Sequence, residues 1–573
     1  MRTTLRASVL ACAALALMSC AAQTETASPG EDSSIVVTGS RIPAQEVAAP
    51  PIGAPPPPPP PPAPPPPPSF AGRAAMGGIV AAPQPQPLPG AVDRDNYEDV
   101  DPNPVRQVAT EPVSTFSIDV DTAAYSNARR FLTQGRLPPR DSVRVEELIN
   151  YFDYDYPLPR TRQRPFEPSV TLVPSPWSNG RTLMHIGLQG FDAIPAQRPP
   201  LNLVLLLDVS GSMSGGDRLP LAIQGFRMLV DQLEARDRVS IVVYAGAAGA
   251  VLEPTPGNER ARINAAFDQL QAGGSTAGGA GLELAYALAR RNFNASAINR
   301  VMIATDGDFN VGIANIEQLE DFIARQRETG IYLSVLGFGG GNYNDALMQR
   351  LAQKGNGQAA YIDTLAEARR VLSDEMTSTL FPIANDVKIQ VEFNPGRVAE
   401  YRLIGYETRM LRREDFNNDR VDAGDIGAGH SVTAIYELTP PGGNTLIDPL
   451  RYQSARPQAA PALNEIAFVR IRYKLPGETE SREIVRPVVD ADASPDLARA
   501  PERTRWATAV AAYGQLLRGD PYLDASYGWN DVIALAQDAR GRDEFGWRAE
   551  FVQLARTAAA LTPRRPEPKP PGQ

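Results

Sequence analysis

The segment 201–212, LNLVLLLDVSGS, constrains the fold of this chain more than any other. Its first seven residues are apolar except Asn202 and show almost no alternation, which predicts a β-strand buried on both faces of a sheet. The run ends in Asp208, Ser210 and Ser212, so a carboxylate and two hydroxyls follow the strand directly. In open α/β sheets, ligands bind at the carboxyl ends of the strands. Because oxygen ligands suit hard cations, we expect a Mg²⁺ site at this place.

The segments that follow alternate between amphipathic helical patterns and apolar strand patterns, as a doubly wound α/β sheet requires. Further hydroxyl and carboxylate side chains occur near the ends of predicted strands, at 273–276 (GGST) and at 306–308 (DGD). Right-handed crossovers put the carboxyl ends of parallel strands on one edge of the sheet. We therefore expect Thr276 and Asp306 to converge with the first three side chains.

The motifs DVSGS, GGSTAGGAGL and TDGDFN resemble the metal-ion-dependent adhesion site of von Willebrand factor type A domains. The resemblance covers roughly residues 202–380. It implies that five residues bind Mg²⁺, with Mn²⁺ or Ca²⁺ as alternatives: Asp208, Ser210, Ser212, Thr276 and Asp306. It also implies a protein or peptide partner that presents a carboxylate to the metal. The chemistry of the residues agrees, because neutral hydroxyl ligands leave the cation under-neutralised and open to an outside carboxylate.

Further motifs lie outside this domain: FSIDVDTAAYSNARRFL, INYFDYDYP, DFNNDRVDAGDIGAGH and residues 543–560. They are similar to the bacterial subgroup usually called YfbK-like. This similarity spans nearly everything after about residue 111. It defines domain boundaries more than it defines a function.

Alternating patterns on both sides of the α/β segment predict an antiparallel β-sandwich, into which the α/β domain is inserted. The fold class is therefore α/β, a doubly wound and mostly parallel sheet, flanked by a β-sandwich and a small helical C-terminal region. The predicted organisation is an N-terminal α+β region at 111–200, the type A domain at 201–382, the β-sandwich at 383–495, the helical region at 496–562 and a disordered tail at 563–573.

The N-terminal residues are typical of a bacterial lipoprotein signal, with a positive start, a short apolar stretch and the ending LMSC. We predict a signal peptide at 1–20 and acylation of Cys20, and the alanine at position 21 favours the outer membrane. Residues 21–110 are predicted to form a disordered tether that contains a polyproline II rod at 55–68. Within the tether, residues 34–42 (SIVVTGSRI) resemble a segment of TonB-dependent outer-membrane receptors and suggest a contact with TonB.

Composition disfavours several other functions. The net charge of −10 argues against nucleic acid as a partner, because a nucleic-acid-binding protein needs a basic face. Cys12 and Cys20 both lie in or at the end of the leader, so the mature chain has no internal disulfide. A Cys/His zinc site or a Ser-His-Asp triad would need His185 or His430, and neither lies in a recognisable motif.

The sequence is therefore consistent with three classes of function. The favoured one is a non-enzymatic adhesion module in the cell envelope. The second is an assembly or transport factor of the outer membrane, in which the metal is vestigial. The third, with the least support, is a metal-dependent hydrolase or transferase, because the motifs contain no second acidic pair for general acid–base work.

Lipid attachment at Cys20 can be tested by feeding labelled palmitate to cells that produce the full chain. The wild type should incorporate label and Cys20→Ala should not, because the lipid is attached at this cysteine. Cys12→Ala is the matched control and should stay labelled, since Cys12 lies in the leader that is removed. Equal labelling of wild type and Cys20→Ala would contradict the prediction.

Overall fold

The computed structural model describes residues 94–192, 198–245, 247–274, 278–307, 315–448 and 464–563 of the 573-residue chain. Several predicted features lie outside these ranges: Cys20 and the signal peptide, residues 34–42, the polyproline segment at 55–68, Thr276 and the tail after residue 563. Among the helices of the described ranges, none combines the length and the apolar character needed to cross a bilayer.

The described residues form sixteen strands and twelve α-helices. The strands are β1 (Arg106–Gln107), β2 (Val113–Ser117), β3 (Phe166–Pro174), β4 (Thr182–Gly190), β5 (Leu201–Asp208), β6 (Arg238–Tyr244), β7 (Ala248–Pro256), β8 (Ile298–Thr305), β9 (Ile331–Phe338), β10 (Ala359–Ile362), β11 (Pro382–Phe393), β12 (Glu400–Ile404), β13 (Gly424–Gly427), β14 (Ser431–Thr439), β15 (Glu465–Lys474) and β16 (Arg482–Val489). The helices are α1 (Ala123–Thr133), α2 (Val145–Asn150), α3 (Leu219–Asp231), α4 (Arg260–Phe267), α5 (Gly278–Arg291), α6 (Ile316–Glu328), α7 (Asp345–Lys354), α8 (Leu365–Arg369), α9 (Met376–Leu380), α10 (Glu502–Arg518), α11 (Trp529–Asp538) and α12 (Trp547–Leu561).

The α/β domain contains a six-stranded sheet in the order β10-β9-β8-β5-β6-β7. All neighbours pair in parallel except β7, which runs antiparallel to β6. Every residue of the central strand β5 is buried. Leu203 and Leu205 pack with α3 on one face, whereas Val204 and Leu206 pack with α5 on the other. Helices therefore cover both faces of the sheet, which confirms the predicted doubly wound fold.

The β-sandwich consists of two antiparallel sheets. One has the order β1-β12-β14-β4-β3, and the other has the order β13-β11-β15-β16 with β2 paired to β11. Strand β4 precedes the α/β domain and pairs with β14, which follows it. The α/β domain is thus an insertion between β4 and β11. Residues of both sheets, among them Phe116, Ile186 and Val391, form one buried cluster.

The C-terminal helices α10–α12 share a hydrophobic core with α1 and α2 from the N-terminal region. At its centre the ring of Phe152 packs edge to face against Trp506, at 5.2 Å between centroids, and against Phe551, at 5.7 Å. The predicted helical region at 496–562 is therefore completed by helices from much earlier in the chain.

Residues 94–110 are part of the folded structure, so the prediction that the tether extends to residue 110 is wrong. The carboxylate of Asp95 accepts hydrogen bonds from the backbone amides of Gly341 at 2.9 Å and Tyr343 at 2.8 Å. Strand β1 pairs with β12 in the sandwich. These contacts join residues that are far apart in the sequence. The local composition of a polar, proline-containing segment therefore does not predict them.

Buried ion pairs join the α/β domain to the helices of the N-terminal region. Arg129 of α1 lies 2.5 Å from Asp363 and 2.7 Å from Glu367. Arg144, directly before α2, lies 2.7 Å from Asp345 at the start of α7. Breaking a buried pair by removing one partner costs about 3–5 kcal/mol. These pairs therefore hold the inserted domain against its neighbours.

Glu146 of α2 is fully buried, with an exposed fraction of 0%. Burial raises the pKa of its carboxyl group to about 8, and the nearby carboxylates of Glu407, Asp119 and Glu147 add to the rise. The folded protein therefore keeps this group protonated at pH values where the unfolded chain ionises it.

Replacing Glu146 with Gln should change how stability depends on pH. Because the folded pKa of about 8 lies above the ordinary 4.5, the stabilisation by the neutral acid is complete below pH 4.5 and is lost as the pH rises to 8. The free energy of unfolding of the wild type, minus that of Glu146→Gln, should fall across this window by up to about 1.4 kcal/mol per pH unit. Urea denaturation at several pH values measures this difference.

The matched control is Glu478→Gln, which removes a carboxylate on the surface that pairs with Arg482. It should show no such trend. A pH-independent difference between the wild type and Glu146→Gln would contradict the assignment of a neutral buried acid.

Candidate metal centre

The structure brings two of the predicted carboxylate ligands to one edge of the sheet. Asp208 is the last residue of β5, and Asp306 directly follows β8. These strands are parallel neighbours, with Leu207 opposite Ala304. The exposed fractions of the two aspartates are 0% and 1%. Two carboxylates are therefore buried side by side where parallel strands end.

The turn after β5 brings two hydroxyl groups to the same place. The backbone amide of Ser210 donates a hydrogen bond to Oδ1 of Asp208 at 2.8 Å. The hydroxyl oxygens of Ser210 and Ser212 lie 2.9 Å apart. Ser210 is buried, whereas Ser212 is exposed to solvent. We call Asp208, Ser210, Ser212 and Asp306 together the metal centre.

Neighbouring strands orient the Asp208 carboxylate. The hydroxyl of Thr305 donates to its Oδ2 at 3.4 Å, and Tyr244 at the end of β6 is a further hydrogen-bond partner. The amide of Gly307 donates to the Thr305 hydroxyl at 3.2 Å. Gly307 has φ +99°, and a Cβ there would lie 2.5 Å from the backbone nitrogen of Asn344. Only glycine fits at this position, because both the backbone conformation and the space exclude a side chain.

Thr276 lies outside the described residues, but the loop that leads to it is attached to the metal centre. The amide of Gly211 donates to the carbonyl of Gly274 at 3.1 Å. The amide of Gly273 donates to the carbonyl of Val209 at 2.7 Å. These bonds hold the chain, two residues before Thr276, against the Ser210–Ser212 turn. The role of Thr276 as a ligand stays a prediction.

The electrostatics of the metal centre favour a cation. Burial raises the pKa of Asp208, the charge of Asp306 adds to the rise, and hydrogen bonds from Ser210 oppose it. A bound cation would offset both the desolvation and the repulsion between the carboxylates. Among the described residues, no group of three or more His, Cys, Asp or Glu side chains is placed to hold a metal ion. A cation bound here would therefore depend on the hydroxyls as well, and a set of carboxylate and hydroxyl oxygens fits Mg²⁺.

Arg218 is a residue of this site that sequence reasoning missed. Its Nη1 lies 3.2 Å from Oδ2 of Asp306 and also donates to the carbonyl of Ser212. Its Nη2 donates to the carbonyl of Gly340 at 2.9 Å. An arginine in a polar turn before a helix is usually solvated, so its sequence position carries no signal.

The two histidines take part in other contacts. His185 in β4 has Nε2 3.2 Å from the hydroxyl of Thr508 in α10, and burial lowers its pKa to about 3. His430 lines a groove between the sandwich and the C-terminal helices, and burial lowers its pKa to about 4. Both imidazoles are therefore neutral at neutral pH and belong to other parts of the fold.

Three family models match the chain. They are described as "von Willebrand factor type A domain", over residues 202–374, "Uncharacterized protein YfbK, C-terminal", over 378–561, and "von Willebrand factor", over 91–185. "Uncharacterized protein YfbK" of Escherichia coli (strain K12) is 47% identical over 473 residues, which cover 81% of each chain. Inter-alpha-trypsin inhibitor heavy chain H3 of Mesocricetus auratus is 24% identical over 282 residues, 45% of this chain and 30% of that protein.

Among solved structures, von Willebrand factor type A from Catenulispora acidiphila is similar, with 15% identity and a TM-score of 0.38 over 71% of this chain and 91% of that chain. The type A match at 202–374 coincides with the inserted α/β domain. The alignment with the Escherichia coli protein covers 473 residues and so extends into the flanking domains. The chain therefore belongs to the YfbK family of proteins that contain a von Willebrand factor type A domain.

Proposed function

We propose that this protein is a non-enzymatic adhesion protein of the cell envelope that binds its partner through Mg²⁺. The metal is held by Asp208, Ser210, Ser212, Thr276 and Asp306, with Mn²⁺ or Ca²⁺ as alternatives, and it takes an acidic side chain of a protein or peptide partner. One observation carries the proposal. Two buried carboxylates lie beside a pair of hydroxyls 2.9 Å apart, at the edge of the sheet where one hydroxyl residue is exposed.

The mixed donor set supports partner binding as well as metal binding. Mg²⁺ prefers six oxygen ligands and keeps several waters when few carboxylates are present. The Asp208 carboxylate already accepts hydrogen bonds from the Ser210 amide and the Thr305 hydroxyl, which fix its orientation. A carboxylate from outside the chain can replace a water on the exposed side of Ser212. It would complete both the charge and the coordination of the metal.

The surroundings favour binding over catalysis. A hydrolytic metal site needs a base or acid within hydrogen-bond reach of the reacting group. The two histidines of the chain lie in β4 and at the groove of the C-terminal helices. The hydroxyls of Ser210 and Ser212 are assigned to the metal and are therefore unsuited to act as nucleophiles.

The proposed envelope location rests on the sequence, since Cys20 and residues 34–42 lie outside the described ranges. Cys20 would carry the lipid, with the outer membrane favoured, and residues 34–42 would contact TonB. Hydrogen bonds connect Asp95 with the loop that contacts Arg218. The carboxylate of Asp95 accepts from the amides of Gly341 and Tyr343. The carbonyl of the neighbouring Gly340 accepts from Arg218. The segment around Asp95 is therefore linked to the metal centre through the 339–341 loop.

Magnesium should stabilise the wild-type protein. At about 100 times its Kd, a ligand that binds only the folded state adds about 2.7 kcal/mol to the free energy of unfolding. Asp208→Asn keeps the shape of the side chain but removes a charged ligand, so its unfolding should not respond to Mg²⁺. Asp217→Asn, which removes an exposed carboxylate from the same turn, should respond like the wild type. Equal responses of Asp208→Asn and the wild type would contradict the metal assignment.

Partner binding should depend on the metal. In cross-linking capture from envelope extracts, the wild type should retain its partner with Mg²⁺ and lose it in EDTA. Thr276→Ala should lose it under both conditions, whereas the neighbouring Ser275→Ala should behave like the wild type. Capture that persists in EDTA and with Asp208→Asn would instead support an assembly or transport factor with a vestigial metal.

A further inference from the structure

The guanidinium of Arg218 lies at the edge of the metal centre and contacts three separate segments. It pairs with the carboxylate of Asp306 at 3.2 Å, and it donates to the carbonyls of Ser212 and Gly340. The side chain of Arg218 is 21% exposed, and that of Asp306 is 1% exposed. Arg218 therefore places a positive charge at the edge of the same carboxylate that is assigned to the metal.

The structure makes room for this guanidinium. Gly339 has φ +68°, and a Cβ there would lie 2.3 Å from Nε of Arg218. The next residue, Gly340, supplies the carbonyl that Nη2 binds at 2.9 Å. The planar fork of arginine can serve several acceptors at once, which the single ammonium of lysine does less well. The 339–341 loop is thus shaped around Arg218.

A metal and this guanidinium compete for Asp306. Both are cations, and their repulsion grows with the product of their charges and falls only as the inverse of their separation. The site is largely buried, so water screens this repulsion weakly. A divalent cation bound at Asp306 therefore weakens the bond between Asp306 and Arg218.

We propose that Arg218 is the built-in counter-ion of the metal centre, a positioning residue that neutralises Asp306 until a divalent cation displaces it. This inference rests on the proposed function, namely that the metal centre binds Mg²⁺. Arg218 lowers the affinity for the metal and stabilises the protein when no metal is bound. Arg218 therefore sets the Mg²⁺ concentration at which the metal centre becomes occupied.

Displacement of Arg218 also affects the contacts of Asp95. Arg218 holds the carbonyl of Gly340, and the next amide, that of Gly341, is bound by Asp95 at 2.9 Å. Asp95 is paired in turn with Arg130 of α1 at 2.5 Å. Metal loading therefore loosens the 339–341 loop, which holds the carboxylate of Asp95.

Calorimetric titration of the full chain with Mg²⁺ tests this inference. Arg218→Gln should bind Mg²⁺ about tenfold more tightly than the wild type, a typical size for coupled binding. Arg218→Lys keeps the charge and should stay near the wild type. Arg227→Gln is the matched control, because Arg227 lies on α3 and pairs with Asp268 at the surface, and it should bind Mg²⁺ like the wild type. In EDTA, Arg218→Gln should melt at a lower temperature than the wild type, and saturating Mg²⁺ should remove the difference.

The outcomes distinguish the counter-ion role of Arg218 from the proposed binding of Mg²⁺. If the wild type binds Mg²⁺ and Arg218→Gln binds it equally or more weakly, the counter-ion role is overturned and the proposed function stands. If neither protein binds Mg²⁺, both fall. If Arg218→Gln does not fold, hydrogen exchange of the wild type replaces it. Mg²⁺ should then speed exchange of the Gly341 and Tyr343 amides, and unchanged exchange would overturn the role of Arg218.

Discussion

The burial of the Asp208 carboxylate at the end of a fully buried strand is the constraint on which the site depends. A charge removed from water in this way needs compensation from hydrogen bonds, opposite charge or protonation. The turn after β5 supplies the Ser210 amide, and β8 supplies the Thr305 hydroxyl. Asp306 adds a second buried negative charge, which Arg218 partly offsets. The remaining demand for positive charge is the physical basis for a cation site at this edge of the sheet.

Contacts with the surrounding domains fix the position of this edge of the sheet. The α/β domain is inserted between paired strands of the sandwich, and buried ion pairs such as Arg129 with Asp363 fasten it to the N-terminal helices. The 339–341 loop contacts Arg218 on one side and Asp95 on the other. A partner that binds at the metal centre would therefore meet the protein near this loop. Asp95 and the metal centre are linked through the loop although they are far apart in sequence.

Local pattern was sufficient for much of this architecture. The apolar runs of β5 and β8 predicted the buried parallel strands, and topology then placed Asp208 and Asp306 together. Strand β7 has little sequence signal, because it contains small residues and prolines at 254 and 256, which only an edge strand tolerates. The helical segment at 365–380 is divided into α8, a π-helical turn at Arg370–Asp374 and α9, a division that the sequence pattern does not show. Arg218 could not be predicted, because its contacts with Asp306 and Gly340 arise only from the tertiary fold.

The central claim is that the metal centre binds a divalent cation in exchange for the Arg218 contact. Diffraction at the manganese absorption edge, from crystals grown with Mn²⁺, tests it most directly. We expect one anomalous peak bonded by the hydroxyl oxygens of Ser210 and Ser212 and close to both carboxylates, with the guanidinium of Arg218 moved away from Asp306. The absence of a peak at this position would contradict metal binding. A peak there with Arg218 still 3.2 Å from Asp306 would contradict the exchange.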